Sequence, residues 1–132
     1  MSLIDRIKAN PLPFAQVLGI EFLSAEADSL AAQMLIRPEL CTAGGIAHGG
    51  AIMSFADTLG ATAAFINLPA DAGGTTTIES KTNFIGGALV HSIVIGRTTV
   101  VHRGRRTQVW QTRVTTESEK LIALVVQTQM NL

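Results

Sequence analysis

The stretch that most constrains this chain runs from Gly44 to Asn67, GGIAHGGAIMSFADTLGATAAFIN. A glycine-rich turn around one histidine, His48, leads into an apolar segment of small residues, Ala51 to Ile66. Nothing interrupts that segment before Asn67-Leu68-Pro69. Its alanines, Met53, Phe55 and Leu59 favour helix, and the single Gly60 costs about 1 kcal/mol relative to alanine. A helix apolar all round is a buried helix. Its one ionisable side chain is Asp57, and a carboxylate buried there is costly unless something pairs with it or uses it. The rest of the chain must therefore enclose this helix and find a use for Asp57.

The 132 residues suit one domain, residues 1–132, with a core of ordinary size. Apolar residues make up 47% and charged ones only 15%, a high ratio for a soluble monomer. A membrane segment is one explanation, but Ala51–Leu68 is short and carries Asp57, Asn67, two threonines and a serine, too polar for a spanning helix. The opening MSLIDRIKANPLP has too short an apolar run for a signal peptide. Burial between subunits is the better explanation, so a homodimer is expected, extended to a homotetramer as a pair of dimers. A formal net charge of zero, no tyrosine and one tryptophan argue against nucleic acid as a partner.

Cys41 is the only cysteine, so no internal disulfide forms and a cytoplasmic location is expected. It reads as a small apolar packing residue before a turn, with a catalytic thiol near His48 as the competing reading. His48, His91 and His102 stand apart from one another and from carboxylates at ligand spacing, which gives no metal site and no cofactor.

In chain order, Leu3, Ile4 and Ile7 mark a short amphipathic helix ended by Asn10-Pro11, with a second turn around Phe14–Leu18. Ile20–Ala27 and Leu30–Ile36 read as a hairpin through Asp28-Ser29. After the central helix the chain turns to β-branched strand. Thr75–Phe84, Leu89–His102, Thr107–Thr116 and Leu121–Gln129 are expected as a four-stranded antiparallel meander. The fold class is α+β: about six antiparallel strands wrapped around one long central helix. One side of that wrapping stays open for another subunit or a sheet-edge partner.

The amides at a helix N-terminus point outward with partial positive charge, and glycines let another molecule approach the backbone. His48-Gly49-Gly50 is thus a candidate oxyanion hole, and Asp57 a candidate general base for acyl-transfer hydrolysis. Eight residues of helix separate Gly49 from Asp57, about 12 Å. One chain can hardly place both on one carbonyl, whereas two antiparallel copies about a twofold axis bring Gly49 of one against Asp57 of the other.

The pattern G-x-x-H-G-G-x-x-x-x-x-x-D, from Gly45 through His48-Gly49-Gly50 to Asp57, resembles the hotdog-fold thioesterases of the phenylacetate-degradation (PaaI-like) type. The likeness extends to Gly19-Ile20, the Thr77–Phe84 strand, the Gly104-Arg105 turn and Lys120-Leu121-Ile122-Ala123. The resemblance implies hydrolysis of acyl-CoA thioesters in a site shared between protomers. It makes Gly49 the backbone oxyanion donor, His48 its orienting neighbour, Asp57 the base or nucleophile, and Thr77 a hydroxyl near the attacking water. Gly50 and Thr42 are expected at the substrate. Thr42 is a departure, since many members have an Asn six residues before the His, and Thr reaches less far. Arg103, Arg105 and Arg106, with Arg97 and Lys81, are candidate contacts for the CoA phosphates. Glu79 reads as a structural partner. The competing functions are a hydratase or dehydratase on the same fold, and an acyl-CoA-binding protein without catalysis.

Overall fold

A computed structural model describes residues 1–132. Two short helices open the chain, α1 (Leu3–Ala9) and α2 (Pro13–Leu18). At the start of α1 the Ser2 hydroxyl accepts from the Asp5 amide and the Asp5 carboxylate accepts from the Ser2 amide, both at 3.2 Å, a reciprocal cap for amides the helix leaves free. The bond from the Ser2 hydroxyl, helped by the one from its amide, holds the Asp5 carboxyl below its ordinary range. Pro13 fits the first turn of α2, and Gly19 closes it at φ 74°, a left-handed conformation that suits glycine.

The strands are β1 (Glu21–Ala25), β2 (Ser29–Leu35), the short β3 (Cys41–Thr42) and β4 (Ile46–Ala47), then β5 (Thr75–Phe84), β6 (Ile93–Arg103), β7 (Thr107–Thr116) and β8 (Leu121–Asn131). Between β4 and β5 runs the long helix α3, Gly49–Phe65. Six strands form one antiparallel sheet in the order β1-β2-β6-β7-β8-β5, and β3-β4 is a separate small hairpin. Gly44 and Gly45, at φ 87° and 71°, make its turn.

Two sequence expectations are corrected here. The last four strands are not one meander: β6, β7 and β8 follow in order, but β5 crosses to the far edge and pairs with β8. The reason is non-local. Strand β2 takes the free side of β6 over seven residue pairs, from Ser29↔Thr99 to Leu35↔Ile93. The chain leaving β5 is meanwhile pinned to β8, where the Ile85 and Gly86 amides both donate to the Ile122 carbonyl. Strand β6 also begins at Ile93, not Leu89. His91 sits at φ 70°, and the amides of Val90 and His91 donate to Gly45 and Ile36, so Leu89–Ser92 is a turn that ties down the hairpin before the helix.

Helix α3 lies across one face of the sheet with Ile52, Phe55, Ala56, Leu59 and Ala63 buried against it. Ile52, Phe55 and Leu59 each contribute about 1.5–3 kcal/mol by leaving water. Gly96 of β6 permits the close approach, since a Cβ there would lie 2.5 Å from a Leu59 methyl. Burial does not extend all round the helix, because the sheet curves over one side only. Met53 and Phe65 remain 40% and 41% exposed. Exposed too are Ile78 and Phe84 of β5, a ten-residue strand with nothing paired to its outer edge. No helix is long and apolar enough to cross a membrane.

Candidate functional site

His48 ends the β4 segment and caps α3. Its backbone is extended, and its Nδ1 accepts the Gly50 amide at 2.8 Å. With Nδ1 accepting, the neutral ring carries its proton on Nε2. The His48 carbonyl takes the amides of Ala51 and Ile52. The Gly49 N–H is left without an acceptor inside the chain. It points out of the first turn of a 17-residue helix, where the dipole favours negative charge. A Cβ at Gly49 would lie 3.2 Å from the Phe84 ring, so Phe84 covers one side of this turn. Of the two expected glycine donors, Gly50 spends its N–H on His48 and Gly49 keeps its own.

Asp57 lies about 12 Å along the same helix, half-buried. Its Oδ1 accepts the Thr77 hydroxyl at 2.7 Å and Gln127 Nε2 at 3.2 Å. The same Nε2 is 3.3 Å from the Asp57 carbonyl oxygen. No hydrogen bond within the chain reaches Oδ2. Thr77 faces the helix with Thr75, and a bulge between Thr77 and Glu79 shifts the alternation so that Ser80 and Thr82 face it next. Bulges of this kind re-aim side chains beside sites. The Ser80 and Thr82 hydroxyls are buried without a partner, on the part of β5 that leads from Asp57 toward Phe84.

Gln127 and Gln129 complete this cluster, and the sequence reading did not single them out. Gln129 Oε1 lies 2.5 Å from the Thr77 hydroxyl and 3.0 Å from Gln127 Nε2, and its own Nε2 donates to Thr75 at 3.1 Å. The signal was an alternation on β8. Val125, Gln127 and Gln129 share the inward face, so two amides stand where a core strand normally carries apolar residues. A cavity of about 650 Å³ opens beside the cluster, with Ile20, Phe22, Ala61, Phe65 and Thr75 in its wall. Ala61 is one helical turn beyond Asp57.

The other expected site residues are dispersed. Thr42 is exposed on the β3-β4 hairpin, opposite Ile46. Arg103 forms an ion pair with Asp28 in the β1-β2 turn, while Arg105 and Arg106 are exposed and free of ion pairs. Arg97 reaches only the Thr115 hydroxyl, at 3.4 Å, and Lys81 is exposed. Glu79 is exposed and its carboxylate bonds to nothing in the chain, so within the chain it is not the structural partner expected of it. Cys41 is half-buried with its thiol toward the Arg37 carbonyl. The Arg103–Arg106 turn sits at the sheet end where the Asn131 amide donates to Arg106 and Thr75 pairs with Asn131. The His48–Gly50 turn sits at the other end, by Phe84. The ten residues of β5 separate them, roughly 30 Å of strand.

Comparison with known proteins gives a consistent picture. Residues 44–123 match the model of the thioesterase superfamily. The chain is 29% identical over 114 residues to the candidate esterase Rv1847/MT1895 of Mycobacterium tuberculosis, covering 85% of this chain and 81% of that protein. The solved structure of that protein superimposes with a TM-score of 0.86, over 92% of this chain and 97% of the other. A mutant of the phenylacetic acid degradation protein PaaI from Thermus thermophilus is 25% identical, with a TM-score of 0.83 over 91% and 99% of the two chains. The thioesterase HI1161 of Haemophilus influenzae, 24% identical, has the same fold at a TM-score of 0.88, over 100% of this chain and 91% of that one.

Proposed function

Because this chain belongs to the thioesterase superfamily as a PaaI-like hotdog protein, we propose that it hydrolyses acyl-CoA thioesters in a site shared by two copies of itself. The observation that carries this reading is the pairing of a half-satisfied carboxylate with a distant free amide. Asp57 is held at Oδ1 and open at Oδ2, and the Gly49 N–H lies too far along the same helix to serve the same carbonyl.

Two copies meeting antiparallel along β5 and α3 resolve the distance. Such a meeting covers Met53, Phe65, Ile78 and Phe84, which one chain leaves in water. It sets Gly49 of one copy near Asp57 of its partner. It also brings the arginine turn of each copy to the sheet end where the partner's helix begins, and Arg105 and Arg106 are free there to take phosphate. The acyl group has the cavity beside Thr75 and Ala61. A homodimer, and beyond it a pair of dimers, follows from this reading, as does a cytoplasmic setting that keeps Cys41 reduced.

In the reaction the Gly49 N–H, at the positive end of the helix, binds the thioester carbonyl oxygen as it becomes negative. Asp57 Oδ2 takes a proton from water, and the water oxygen bonds to the carbonyl carbon. The C–S bond then breaks, the thiolate of CoA takes up a proton, and the free acid leaves. The donors on Oδ1, Thr77 and Gln127, keep that oxygen engaged while Oδ2 works.

Release of free thiol from a panel of aliphatic and aromatic acyl-CoAs tests the activity; no release from any of them would reject it. Mixed dimers test the sharing. Asp57→Ala removes the base, and Gly49→Pro removes the donor N–H at the first helical position, where proline fits the backbone. In a mixed dimer both lesions fall into one site and the other is whole. Random co-refolding should restore about a quarter of wild-type turnover if chemistry limits the rate. A Gly49→Val protein controls for disturbance of the turn. No recovery, with mixed dimers verified by mass, places both groups in one chain.

A further inference from the structure

We propose that Gln127 is the positioning residue for Asp57, and that Gly60 is glycine to admit it. This inference rests on the reading of Asp57 as the base and says which groups make it one.

Three acceptors surround Gln127 Nε2: Asp57 Oδ1 at 3.2 Å, the Asp57 carbonyl at 3.3 Å and Gln129 Oε1 at 3.0 Å. The carboxylate and backbone carbonyl of Asp57 cannot face an amide oxygen, so the amide has one orientation, with its NH₂ toward them. Its Oε1 therefore points the opposite way and finds no donor, although Gln127 is only 1% exposed. Leaving a buried acceptor unmatched is unfavourable, and such a group in a native fold marks a constraint set by something else. Here the constraint is Asp57.

The orientation of Gln127 fixes the next amide. Gln129 must present its oxygen to Gln127, which sends its NH₂ to Thr75. Thr77 then stands between two acceptors, Asp57 Oδ1 and Gln129 Oε1, with one proton to give. The Thr77 hydroxyl can rotate away from Asp57; the Gln127 amide cannot turn its NH₂ away from it. Gln127 is thus the fixed donor to Oδ1, and it leaves Oδ2 as the oxygen presented to water.

Gly60 is an independent sign of the same arrangement. It lies one turn beyond Asp57 on the same helix face, where glycine weakens a helix. A Cβ there would sit 2.1 Å from Gln127 Cδ and 2.2 Å from its Oε1. The missing side chain is the notch through which the amide reaches Asp57.

The experiment replaces Gln127 by Met, which keeps length and bulk but donates nothing. kcat should fall about ten- to a hundredfold, the worth of a hydrogen bond to a charged group, with KM within twofold. In an Asp57→Asn background, Gln127→Met should cost nothing further, because the two act as one unit. Equal kcat in Gln127→Met and wild type, or losses that multiply in the double variant, would overturn the proposal. A readout without turnover accompanies it. One Gln127 side-chain amide proton should resonate downfield of free glutamine in the resting protein, and Asp57→Asn should move it upfield. A signal at the free position that ignores Asp57→Asn also overturns it. A wild type that releases no thiol while that proton still responds to Asp57→Asn removes the thioesterase reading and leaves the contact standing.

Discussion

Gln108 and Gln127 stand on neighbouring strands, two residue pairs apart, since Gln108 pairs with Gln129 and Trp110 with Gln127. Both are buried amides inside the same sheet, yet their surroundings differ in one respect. Gln108 donates to the Ala64 carbonyl at 3.2 Å and to Asn131 at 3.0 Å, and its oxygen accepts the Trp110 N–H at 2.9 Å. Every proton and its oxygen are matched. Gln127 leaves its oxygen unmatched and shares its protons among three acceptors around Asp57. A closed set of bonds holds the end of α3 to β7 and asks nothing of solvent. An uneven set is tolerated where a group must be held for use.

The largest effect expected from this contrast is at Asp57. Asp57→Asn keeps the shape and removes the basicity, so thiol release should fall by roughly 10²–10⁴. Thermal unfolding should be unchanged or slightly later, because an open carboxylate leaves a half-buried position. Gln108→Leu should do the reverse. It strands the Trp110 N–H and Asn131 Oδ1, and should lower stability by about 2–4 kcal/mol. Its kcat, measured well below the unfolding transition, should stay at the wild-type value. Denaturant titration and thiol release on the two variants separate a support from a tool. If Gln108→Leu abolished turnover in a folded protein, the contrast between the two clusters would collapse.

Much of this architecture can be read before the fold is known, and the limit is physical. Strands Thr75–Phe84 and Thr107–Thr116 have the boundaries their β-branched composition implies. The helix begins at Gly49, from which the distance to Asp57 is counted, and His48 supplies the cap. These are local properties. The order of the strands is not, and β5 reaches β8 because β2 has already taken β6. The site divides the same way. His48 and Gly49 stand out in a glycine-rich turn and Asp57 as a carboxylate in the apolar helix it opens, and Thr77 comes through family likeness. It then lies 2.7 Å from Asp57. Gln127 becomes a partner of Asp57, and Gln129 of Thr77, only when β8 lies beside β5. Their positions on the inward face of β8 were visible in the alternation, but the direction of their amides was not. Gly60 was visible as a cost, and its reason is the amide 67 residues later.

The smallest effect is at Gly60, and it separates the two explanations of that glycine. If Gly60 were a chance weakness in the helix, alanine would stabilise the protein by about 1 kcal/mol. The structure requires the opposite sign, because the new Cβ would lie 2.1 Å from the Gln127 carboxamide carbon. Forcing one methyl into a packed site costs about 1–3 kcal/mol, so Gly60→Ala should unfold at lower denaturant by a net of roughly 0–2 kcal/mol. Turnover should also drop, since the displaced amide no longer reaches Asp57 Oδ1. Gly60→Ala combined with Gln127→Ala removes the collision. Part of the lost stability should then return, because the helix gains alanine's propensity and no side chain is compressed. Turnover should not return, because the donor to Asp57 is gone. Recovery of stability without activity in the double variant ties the notch to the amide. A Gly60→Ala protein more stable than wild type and equally active would mean that the amide has room to spare, and that Gly60 is not held as glycine by Gln127.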